Sequence, residues 1–108
     1  MDEREFMAAA DAELARIEAA LEVASMRDVA DFDFETKPGG VIEIEMENGS
    51  KIIVNRHGAA REIWLAAKSG GYHFRPEGGK WLGTRDGEEL IAALSRTLSE
   101  QAGVRITL

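Results

Sequence analysis

The chain has 108 residues, no cysteine and a formal net charge of −7. That length fits one domain with a core that needs no covalent staple, and the missing thiols exclude disulfides, thiolate metal sites and cysteine nucleophiles. So acidic a chain repels a phosphate backbone, which excludes nucleic acid as the expected partner. The charge is uneven: residues 1–47 hold 14 of the 20 carboxylates but 4 of the 13 lysines and arginines. This half points to cations or a basic protein surface, or else serves solubility alone. No apolar run is long enough to span a bilayer. The acidic opening Met1-Asp2-Glu3-Arg4-Glu5 reads as neither a signal nor a transit peptide. A reducing cytoplasm is the expected location.

Residues 3–24 predict a helix, because Phe6, Ala10, Leu14, Ile17 and Leu21 recur at spacings of three and four. Asp11, Glu18 and Glu22 form a second stripe beside the apolar one. They line the seam where the helix packs, or form an ordinary solvated flank. Ser25 to Ala30 reads as a connection. Asp31-Phe32-Asp33-Phe34-Glu35 then alternates as a strand, with the phenylalanines inward and three carboxylates in a row outward. No lysine or arginine is interleaved to relieve their repulsion. Such a row suits a bound cation or basic partner, or blocks aggregation at a sheet edge.

Thr36 to Gly40 predicts a turn, and Val41 to Glu47 a strand with Ile42, Ile44 and Met46 inward and Glu43, Glu45 and Glu47 outward. Asn48-Gly49 is the favoured dipeptide of a two-residue hairpin turn. Lys51 to Asn55, Glu62 to Ala66 and Tyr72 to Phe74 supply further strands, set off by His57-Gly58 and Ser69-Gly70-Gly71. Ile63 and Leu65 are the natural core pair, which leaves Trp64 on the outer face as a contact residue or a simple cap. Pro76 to Gly79 turns into a short strand at Lys80-Trp81-Leu82. Asp86 and Glu89 have the spacing of a capping box. The helix after them carries Leu90, Ile91, Leu94 and Leu98 and stops near Gly103, before an extended segment at Val104–Leu108. The order helix, five or six antiparallel strands, helix predicts an α+β sandwich, with both helices on one face of the sheet.

The chemistry on offer is narrow. No serine sits in a nucleophile elbow with a paired histidine. The Gly-Gly pairs precede strands, not helices, so they are turns and not phosphate cradles. His57 and His73 are not spaced as a pair on one helix face or strand, and each reads singly as a surface histidine. What remains is carboxylate oxygen, which suits hard cations held weakly and still partly hydrated.

Asn48-Gly49-Ser50-Lys51-Ile52-Ile53-Val54-Asn55-Arg56, then Ile63-Trp64-Leu65-Ala66, then Gly70-Gly71-Tyr72-His73-Phe74 resemble the bacterial frataxin (CyaY) signature. The likeness extends to Glu5-Phe6, Ile17-Glu18 and Gln101-Ala102-Gly103, so it covers essentially the whole chain. It implies the same two-helix sandwich and a part in iron–sulfur cluster assembly. It also implies weak binding of ferrous and ferric iron, with other divalent cations as substitutes, on a ridge of Asp11, Glu18, Glu22, Asp28, Asp31, Asp33 and Glu35. The implied partners are a cysteine desulfurase and the iron–sulfur scaffold protein. They would be met through Glu18, Glu22, Asp31, Asp33, Glu35, Glu43, Glu45, Asn55 and Trp64. A monomer that forms oligomers with iron fits this picture. Where relatives often pair acids in the first helix, this chain has Glu18-Ala19 and Glu22-Val23, and it has Met7 where some place a histidine. Two rival readings stand beside it: a ferroxidase or iron store, and a protein-interaction module whose acids meet no metal.

Overall fold

A computed structural model describes residues 1–27 and 31–108. Helix α1 (Glu3–Ser25) leads into β1 (Phe32–Lys37), β2 (Val41–Met46), β3 (Lys51–His57), β4 (Glu62–Ala67), β5 (Gly70–Glu77) and β6 (Lys80–Gly83), and α2 (Leu90–Ala102) follows. The six strands pair in chain order, each antiparallel to the one before. This is the expected α+β sandwich, with six strands. Phe6, Leu14, Ile17 and Leu21 of α1 and Leu90, Leu94 and Leu98 of α2 are buried against Ile42, Ile44, Ile52, Val54, Ile63, Leu65 and Phe74. Each such side chain contributes roughly 1.5–3 kcal/mol of transfer free energy. The sheet's other face is left to solvent.

Local chemistry sets where the elements begin. Asp2 caps α1: its carboxylate accepts the Glu5 N–H at 2.8 Å, and the Glu5 carboxylate accepts the Asp2 N–H at 3.3 Å. The capping box expected at Asp86 and Glu89 does not form. Gly87 has φ 75°, which a helical first turn cannot use, and Glu89 is extended and bridges to Leu82. The Asp86 carboxylate instead accepts the Glu88 N–H at 3.0 Å, and α2 starts at Leu90.

The turns also depart from expectation. Met46 and Ser50 close a three-residue loop, Glu47-Asn48-Gly49, in which Gly49 has φ 87° and Asn48 keeps a negative φ. Asn48 uses its Oδ1 to accept from both Ser50 N–H and Ser50 Oγ, at 2.9 and 2.6 Å. That side-chain turn favours the bulged loop over a two-residue one. Gly70 and Gly71 pair with Ala67 and Ala66 and belong to β5, because a ladder needs backbone groups and no side chain. Pro76 lies beyond the end of β4, so its missing N–H costs no ladder bond there.

Gln101 ties these pieces together. Its Oε1 accepts the Lys68 N–H at 2.9 Å, and its Nε2 donates to Ser50 Oγ at 2.9 Å. Its carbonyl accepts from Asn48 Nδ2 at 3.0 Å. One residue of α2 thus fastens the β2–β3 and β4–β5 turns. Gln101→Ala should cost about 1–2 kcal/mol in urea unfolding, as the side-chain bonds to Lys68, Ser50 and the Lys51 carbonyl are lost. A cost within about 0.3 kcal/mol would show that water replaces them fully.

Candidate cation and partner site

Glu18 and Glu22 project from the exposed flank of α1, and Asp33 and Glu35 from the outer side of β1. These four residues line one open groove along the α1–β1 edge, together with Phe32, Phe34 and Thr36. Asp31 joins Asp33, Glu45 and Glu47 around a second hollow at the β2–β3 turn. Asp33 stands opposite Glu45 in the ladder, and Glu35 opposite Glu43. Asp28 lies outside the described residues. Among the described residues no three Asp, Glu or His side chains converge to hold one ion. The donor set fits a hard cation held by one or two carboxylates with water completing its shell.

Asp11 does not line the groove; it lies about two turns earlier on α1 and is paired with the Arg56 guanidinium. Arg56 follows Ile52 and Val54 on the helix-facing side of β3, and its side chain runs past Gly40 toward α1. A Cβ on Gly40 would lie 2.6 Å from Arg56 Cγ, so only glycine leaves that path open.

The outer acidic row is relieved where the sequence shows no relief. Lys37, at the end of β1, donates to Glu43 at 2.6 Å and lies 3.6 Å from Glu35. Lys51, from β3, donates to the other Glu43 oxygen at 2.8 Å. Lys37 is the next outward position of β1 after Glu35, whereas Lys51 is delivered from β3 by strand pairing, and the acidic run alone gives no sign of it. Glu43 is therefore a neutralised centre, while Glu45 stands between Asp33 on one side and Lys51 on the other in the ladder.

Trp64 occupies the middle of the outer face, opposite Asn55 on β3 and His73 on β5. It is half-buried and stacked on both sides. The His57 ring lies at 3.8 Å and 13°, and the His73 ring at 4.4 Å and 9°. Its Nε1–H donates to Glu62 at 2.8 Å, and Arg75 donates to the second Glu62 oxygen at 3.3 Å. Glu62, only 8% exposed, does not stand out in the sequence. Nor do the histidines read as neighbours: they are separate in sequence, and the register brings them to one indole. The signal that finds all four residues is the set of outward positions of β3, β4 and β5 written out in register.

The family described as frataxin-like domain matches residues 1–104. The chain belongs to that family. It is 56% identical over its full length to the iron-sulfur cluster assembly protein CyaY of Dechloromonas aromatica, covering 99% of that protein. It is 51% identical to the CyaY of Cupriavidus necator, covering all of this chain and 96% of that one. Frataxin from Psychromonas ingrahamii superposes with a TM-score of 0.85 at 30% identity, over 99% of this chain and 97% of its own. A trimeric frataxin from Saccharomyces cerevisiae, solved in complex with ferrous iron, gives 0.74 at 26% identity, over 88% and 86%. In this frataxin-like chain, then, the acids divide into those matched by a cation (Asp11 and Glu43) and those left open (Glu18, Glu22, Asp33).

Hydrogen bonds from Lys37 and then Lys51 hold the Glu43 carboxyl down at about 2, from an ordinary 4.5. A depressed acid stabilises the fold above its unfolded value and loses that contribution as pH falls through its folded one. The contribution of Glu43 is thus complete above pH 4.5 and lost toward pH 2. Glu43→Gln should lower the melting temperature at pH 7 and flatten the acid limb of the stability curve in that window. An unchanged acid limb would show that the lysines do not grip Glu43 in solution.

Proposed function

We propose that this chain is an iron-binding adaptor that regulates iron–sulfur cluster assembly in the bacterial cytoplasm by docking, not by turnover. Its full-length likeness to proteins named for cluster assembly supports the pathway. The yeast relative in complex with ferrous iron supports the metal. The observation that carries the reading is the α1–β1 groove, where Glu18, Glu22, Asp33 and Glu35 gather in a like-charged group that stability alone does not favour. Open oxygen donors of this kind take up iron as cargo, weakly and exchangeably, and other divalent cations compete for them.

The same groove offers a protein partner a concentrated negative surface. A cysteine desulfurase presenting a basic patch fits it, and the scaffold protein fits the adjoining sheet face at Asn55 and Trp64. Docking of this type weakens steeply with ionic strength. Replacing Asp31, Asp33 and Glu35 together by lysine should lower desulfurase affinity more than tenfold at low salt and abolish its salt dependence. The fold should be kept or stabilised, since repulsion is relieved. Unchanged affinity in isothermal titration would sink the docking assignment.

A further inference from the structure

The two faces of the Trp64 indole are closed by imidazoles, so a partner meets only its edge. Neither histidine is placed there by a core requirement: both lie on the solvent side of the sheet, and His73 is an exposed residue. Each is oriented by a different contact. His57 Nδ1 accepts the Ala60 N–H at 3.2 Å, which puts the proton of the neutral ring on Nε2. His73 Nδ1 lies 3.4 Å from the Glu62 carboxylate, which also holds the indole N–H. We propose that His57 and His73 are positioning residues that clamp Trp64 edge-on for its partner. This rests on the reading of Trp64 as a partner contact.

Each ring is brought to the indole by a different strand, so the clamp needs the register of β3, β4 and β5 together.

Two double variants test this, His57→Ala/His73→Ala and His57→Phe/His73→Phe, because phenylalanine still stacks. Their affinity for a purified desulfurase–scaffold complex would be measured by calorimetry. The Trp64 indole N–H would be followed by ¹⁵N NMR in each protein. Each stacked pair contributes modestly, so the alanine variant should bind about five- to tenfold more weakly, and the phenylalanine variant within about twofold of the wild type. The indole signal should shift and broaden in the alanine variant and stay sharp in the phenylalanine variant. An alanine variant that binds like the wild type, or whose indole signal is unmoved, overturns the clamp. Failure of the wild type itself to bind the complex would sink the adaptor reading, and the indole signal would then decide the clamp by itself.

Discussion

Because successive side chains on a strand point to opposite faces, burying one set of residues dictates where every other one goes. Ile42, Ile44, Ile52, Val54, Ile63 and Leu65 must face the helices, and each is 1% exposed or less. Their neighbours are thereby assigned to the outer face, in rows set by the ladder. Asp33 meets Glu45, Glu35 meets Glu43, and Asn55, Trp64 and His73 fall in one line. A one-residue slip of β2 would bury Glu43 and Glu45 and expose Ile42 and Ile44. The acidic edge and the indole stack therefore exist because the core does.

The acids of this protein are treated unequally. Asp11 is held by Arg56, and Glu43 lies between two lysines. Glu62 is nearly buried but collects the indole N–H, Arg75 and His73. The acids with other work to do thus have donors supplied by the fold. Glu18, Glu22 and Asp33 line a groove and have no ion-pair partner among the described residues, while Glu35 beside them meets Lys37 at 3.6 Å. A charge that the fold does not answer is available to something outside it, and that contrast carries the functional reading.

Much of this is legible in the amino-acid sequence alone. The heptad-like stripe of α1, the alternation of β1 and β2 and the stop at Gly103 are local patterns, and local patterns survive folding. The outer placement of Trp64 follows from Ile63 and Leu65 in the same way. What the sequence hides depends on pairings between distant segments. Lys51 reaches Glu43, Arg56 reaches Asp11 across Gly40, and His57 and His73 meet on Trp64 only through the register of three strands. The misplaced capping box has the opposite cause: the Asp86–Glu89 spacing is right, but Gly87 and the Leu82–Glu89 bridge override it. Two acids of the expected ridge differ for separate reasons, since Asp11 is already engaged and Asp28 lies outside the described residues.

Iron should meet the unanswered carboxylates and not the answered ones. An anaerobic ferrous titration of ¹⁵N-labelled protein tests this most directly, since paramagnetic broadening reports proximity residue by residue. The expected result is early, selective loss of the amide signals around Glu18, Glu22 and Asp33, with Asp11 and Glu43 affected later. Broadening centred on Asp11 or Glu43, or none at iron concentrations on the order of a millimolar, the weak end of carboxylate sites, would contradict it.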